Sequence, residues 1–224
     1  MSQDINLREA EKKAFRLSTS QDGLYDLFFG LLIVLLSAMP WLDENGLRTP
    51  WNVILVESIG LFVLLGVVVT KKYIVAPRIG HVRYGAERKK RMMRLAIWMG
   101  VTFVLTVILF GLTVRAIYFG EPFIDQPIQS SFPLDPVHTG AGIFIFILFS
   151  VIGYMNDYPR MYIYGLLFGL GYIVSTFLQD QFDTLFYWPQ AVAGLVAVIT
   201  GSVLFIRFLQ KYPAAPDPVV NEIS

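Results

Sequence analysis

The hydrophobic residues of this chain fall into six blocks separated by short polar stretches: about Leu24 to Leu42, Asn52 to Thr70, Leu95 to Phe119, Gly140 to Met155, Pro159 to Leu178 and Tyr187 to Leu209. Within the blocks apolar side chains occupy every face of a helical wheel instead of one stripe, and most blocks approach the roughly 20 residues that span a bilayer. The pattern predicts an all-α, polytopic membrane protein with six transmembrane helices. Asn45-Gly46 and Pro50 mark the turn that makes the first two spans antiparallel neighbours. Pro159, after Asn156-Asp157-Tyr158, is expected to open the fifth helix.

The polar stretches divide the chain further. Residues 1–21 form an N-terminal arm in which Leu7, Ala10, Ala14 and Leu17 recur at helical spacing, with Arg8, Lys12, Lys13 and Arg16 elsewhere on the wheel. This suits a short amphipathic helix on the cytoplasmic surface, or a solvated arm. With no apolar run before Leu24, the arm is not expected to be a cleavable signal peptide. Residues 22–210 form the six-helix membrane domain, which includes a basic cytoplasmic loop at 71–94 and a proline-rich, acidic outer loop at 120–139. Residues 211–224 are expected to be a disordered cytoplasmic tail.

Charge then orients the bundle. Segment 71–94 carries Lys71, Lys72, Arg78, Arg83, Arg88, Lys89, Lys90, Arg91 and Arg94, half of the chain's 18 Lys and Arg, against one acid, Glu87. Such a segment stays on the cytoplasmic side, so both termini are expected to be cytoplasmic and the protein to reside in the plasma (cytoplasmic) membrane, the inner membrane of a cell with two. On that assignment only Arg48 and Arg115 remain toward the outside, with Asp43, Glu44, Glu121, Asp125, Asp135, Asp180 and Asp183. Trp41, Trp51 and Trp188 fall at outer span ends, where aromatic belts form.

Composition, 55% hydrophobic and 15% aromatic, agrees with a membrane protein, and the formal charge of +1 gives no reason to expect nucleic acid. The absence of cysteine excludes disulfides, thiolate nucleophiles and thiolate metal sites, and two histidines, His81 and His138, exclude a histidine-rich one. No metal and no cofactor is expected.

Candidate chemistry is confined to a few positions. Glu57 lies six residues into the second span, about 9 Å from its outer end at 1.5 Å per residue. An unpaired carboxylate there is costly, and Arg115 is the base at comparable depth, so an intramembrane ion pair of Glu57 with Arg115 is expected. It reads as a lock between two helices or as part of an ion or proton relay. Asp22 and Asp26 flank Gly23 at the inner end of the first span. Asp22 suits a helix cap, whereas Asp26 needs a donor, for which Arg78, Arg83, Arg94 and Arg160 are candidates. In Pro77 to Gly85, Arg78, His81 and Arg83 lie close enough to cradle a lipid phosphate or simply to set topology. Gly165 and Gly169 stand at GxxxG spacing, which suits helix packing within the bundle or in a homodimer.

No catalytic constellation is visible, so the chain is not expected to be an enzyme. The expected function is that of a non-catalytic accessory or assembly component, whose partners are anionic inner-leaflet headgroups and either a second copy or another membrane protein. The alternatives are a small transporter or channel using Glu57 and Arg115, and a membrane-embedded lipid-modifying enzyme built on the inner-interface groups.

Overall fold

The computed structural model describes residues 21–48, 50–79, 86–119, 136–184 and 186–213, and among these the chain is helical with no strand. Residues 1–20 of the N-terminal arm, 120–135 of the outer loop and 214–224 of the tail lie outside the described residues. The helices are α1 (Leu24–Ser37), α2 (Met39–Glu44), α3 (Trp51–Thr70), α4 (Ala76–Ile79), α5 (Ala86–Phe119), α6 (Pro136–Met155), α7 (Arg160–Phe182) and α8 (Trp188–Lys211), with a π-helical turn, Lys71–Val75, joining α3 to α4. Five stretches are long and apolar enough to cross a membrane: Leu24–Glu44, Trp51–Ile79, His138–Met155, Arg160–Phe182 and Trp188–Lys211.

Local chemistry explains where these helices start and bend. Gly23 has φ of 74°, the left-handed region that favours glycine, and Asp22 Oδ1 accepts the Leu24 N–H at 3.2 Å, so the chain turns sharply into α1. The first span is broken at Ala38, because Pro40 in the opening turn of α2 cannot supply the amide that would continue α1. At the far end of α3 the helix widens to π geometry just before Pro77, whose ring and missing N–H disfavour a regular α-turn there.

Segment 71–94 is not the loop that its charge suggested. Helix enters it from both sides, through Lys71–Ile79 and from Ala86 onward. Ala86 to Arg94 consists largely of strong helix formers, and a helix continues past the membrane boundary when its sequence allows. Elsewhere α6 begins at Pro136, where proline suits a first helical position, ahead of the block start at Gly140, and α7 runs on past Leu178 through Gln179 to Phe182.

Two tight helix pairs form the centre. In the first, α1 and α8 run antiparallel with glycines facing glycines. A Cβ on Gly30 would come within 2.7 Å of the Gly194 carbonyl oxygen, and one on Gly201 within 2.8 Å of that of Gly23. At this closeness only glycine fits on either side. In the second, α6 packs on α7, with Gly142 against Gly169, and Gly165 against Phe146 and Phe149. Rings of Phe29 and Phe149 meet edge-on at 5.1 Å and join the two pairs around Ile33, Met161, Phe168, Ala193 and Ala197. In contrast, α3 leaves Leu61, Phe62, Leu65, Val68 and Val69 exposed, and α5 does the same with Ile97, Trp98, Val101 and Val104.

Candidate functional site

The buried charges of the molecule gather where α1 and α7 begin and α3 and α8 end. Asp22 and Asp26 have no solvent-exposed surface. Gly23 and the glycine seam with α8 seat the start of α1 deep among its neighbours, so that both carboxylates, four residues apart, are enclosed.

Each carboxylate has its own base. Lys71 Nζ, at the first residue of the π turn, lies 2.9 Å from Asp22 Oδ2 and 4.1 Å above the ring of Tyr25. Arg160 Nη1, from the first turn of α7, lies 3.0 Å from Asp26 Oδ2, and its guanidinium stacks 4.9 Å over the Tyr158 ring. Both are close ion pairs, with the nitrogen of the base at hydrogen-bond distance from the carboxylate oxygen. The other oxygen of Asp26 accepts a short hydrogen bond from the Tyr158 hydroxyl. The hydroxyl of Tyr164 also lies close to the Asp26 carboxylate.

Electrostatics follow from this enclosure. Burial pushes the Asp22 carboxyl above its ordinary 3.8, against the opposing pull of Lys71 and of the Leu24 N–H. Burial, and then the neighbouring Asp26 charge, pushes the Tyr158 phenol upward, so it stays a neutral donor. At the opposite end, burial raises the Tyr187 phenol to about 12. The cluster holds hydrogen-bond donors and paired charges. Among the described residues, no three His, Asp or Glu side chains converge as metal ligands.

The residues singled out from sequence fare differently. Of the bases considered for Asp26, Arg160 is ion-paired to it. Arg78 turns back on its own helix, donating from Nη1 to the Ile74 carbonyl at 2.8 Å, while His81 and Arg83 lie outside the described residues. Glu57 sits on the exposed face of α3 and Arg115 on an exposed face of α5, and no ion pair joins them among the described residues. Gly165 and Gly169 lie inside the bundle, facing α6.

Lys71 and Tyr158 escaped the sequence reading. Lys71 looked like one base among nine, and its special place depends on the π turn. Tyr158 was legible only as part of a turn before Pro159. Comparison with protein-family models, with curated protein sequences and with solved structures finds no match to this chain.

Proposed function

We propose that this protein is a non-catalytic, multi-pass component of the plasma (cytoplasmic) membrane, an accessory or assembly subunit that meets anionic inner-leaflet headgroups through its basic segment 71–94. On this reading α5 is a sixth span, both termini are cytoplasmic and the Asp22–Asp26 end of the bundle faces the cytoplasm. The segregation of bases supports the orientation, since Arg8, Lys12, Lys13, Arg16, segment 71–94, Arg160, Arg207 and Lys211 then share one side.

The observation that carries the reading is that the buried charges are satisfied among themselves. Asp22 faces Lys71 and Asp26 faces Arg160, and beyond them the bundle is filled by Ile33, Phe149, Phe168, Ala193 and Ala197. Buried ionic groups that close on one another commonly fix which helices pair, whereas a transport route needs polar groups that continue toward the other side.

Two measurements test it. Because the chain has no cysteine, Ser20→Cys and Ser130→Cys can be labelled separately from either side of sealed vesicles. Labelling of position 20 from the cytoplasmic side and of 130 from the outside is expected; both on one side would overturn the six-span topology. In proteoliposomes, no proton or alkali-cation flux above the lipid background is expected. A flux abolished by Glu57→Gln would replace the assembly reading with transport.

A further inference from the structure

Beside the charge cluster an open cleft of about 370 Å³ lies between the start of α7 and the end of α8. Among the described residues Arg160, Arg207 and Lys211 bring three bases to it, Leu204 and Phe208 give it apolar surface, Gln21 and Tyr212 complete the lining, and no acid lines it. Arg207 and Lys211 stand four residues apart on α8, so they share a helix face on which like charges repel. Arg160 approaches from the other helix. Its side chain is 27% exposed and is held by Asp26 through Nη1, which fixes the orientation of the guanidinium at the edge of the cleft.

Bases at the end of a helix are common, since they set topology and complement the helix dipole. Three features exceed that explanation. The charges converge from two helices onto one cavity, one of them is held in place by a buried acid, and Leu204 and Phe208 give the cavity apolar surface beside the polar groups of Gln21 and Tyr212. We propose that this cleft binds a phosphate group, the headgroup phosphate of an anionic phospholipid, with Arg160, Arg207 and Lys211 meeting the phosphate and Leu204 and Phe208 meeting the first carbons of the lipid. Two arginines and a lysine suit a phosphate, which arginine can engage through paired N–H donors, and the volume falls in the range of small-ligand cavities. An amphipathic cleft at the edge of an apolar bundle places such a phosphate at headgroup level. The site is distinct from segment 71–94 and rests on the proposed function only in placing this end at the inner leaflet.

The test uses the full-length protein and does not depend on its orientation. Retention of phosphatidylglycerol against phosphatidylcholine is measured by native mass spectrometry, and thermal stabilisation by each lipid, or by inorganic phosphate, is measured in detergent. The double variant Arg207→Gln/Lys211→Gln alters exposed side chains and spares Arg160, which holds Asp26. Arg48→Gln/Arg115→Gln, two exposed bases outside both the cleft and segment 71–94, serves as a control of equal charge loss. Phosphatidylglycerol binding is expected to weaken on the order of tenfold in the first variant and to persist in the control. If inorganic phosphate stabilises as strongly as phosphatidylglycerol, and the first variant loses that effect, the phosphate site stands and the lipid as its source is overturned. Equal binding in wild type and the first variant, or equal loss in both variants, overturns the site.

Discussion

Asp26 and Glu57 are both carboxylates inside the opening turns of an apolar helix, yet the protein treats them in opposite ways. Asp26 is fully enclosed, with Arg160 and Tyr158 on its two oxygens. Glu57 lies on the open face of α3, on the same helix as the exposed Leu61 and Phe62. The difference comes from the neighbours. Gly23, Gly30, Gly194 and Gly201 draw α8 against α1, and the turn after α6 lays Tyr158 and Arg160 over the start of α1. On α3, Asn52, Val56 and Gly60 are buried, but among the described residues nothing closes over the side that carries Glu57. Burial of a charge in such a bundle is therefore decided by which helix closes over that face, and only secondarily by depth along the span.

The sharpest way to break this contrast is to truncate each acid. Asp26→Ala leaves Arg160 and Tyr158 buried without their acceptor and is expected to destabilise the protein by about 3–5 kcal/mol, the cost of removing one partner of a buried pair. Thermal or SDS-induced unfolding in a fixed detergent measures this. A loss no larger than that of Glu57→Ala would mean that the cluster at the start of α1 does not hold the bundle.

Asp22 sharpens the comparison through pH. Its folded-state value is raised above the ordinary 3.8, so above that pH the folded protein binds the proton more tightly than the unfolded chain does. Ionisation of Asp22 thus opposes folding at neutral pH. Its contribution improves as pH falls through the raised value toward 3.8, below which folded and unfolded states are equally protonated. Lys71, Arg160 and Asp26 are the charged groups that face it, the two bases limiting the rise and Asp26 adding to the repulsion. Relative to wild type, Asp22→Asn is expected to gain less stability between pH 7 and about 4.5, a smaller effect than that of Asp26→Ala. Parallel pH profiles for the two proteins would show that Asp22 is as solvated in the fold as in the unfolded chain.

Much of the architecture was legible because a bilayer imposes a simple signature: an apolar block of about 20 residues leaves little else for the backbone to form. The basic segment was misread because positive charge marks where a helix leaves the membrane, not where it ends; the helix formers from Ala86 onward keep α5 intact. The need of Asp26 for a base was legible, but the choice was not. Its partners come from a turn 132 residues away, and no local pattern tells Arg160 from Arg78 or Arg94. The α1–α8 seam carried a fainter signal: Gly23 and Gly30 are spaced by seven, as are Gly194 and Gly201, and two matching spacings suit one antiparallel contact. GxxxG at Gly165 and Gly169 marked a close approach without revealing Gly142 and Phe149 as what approaches.

The smallest effect falls on Glu57 itself. Being exposed, with its neighbour Ser58 bonded back to the Ile54 carbonyl at 2.6 Å, it has no buried surroundings to lose when its charge is removed. Glu57→Gln should therefore change unfolding stability by no more than about 0.5 kcal/mol, the usual range for a surface substitution. A lipid-facing carboxylate near a span end can also extend toward the headgroups, where Gln is an equivalent polar tip. A loss of more than about 2 kcal/mol would instead be the signature of a buried partner, as Asp26 has in Arg160. Measured together, Asp26→Ala and Glu57→Gln ask whether enclosure by a neighbouring helix, and not distance into the span, sets what a membrane carboxylate contributes.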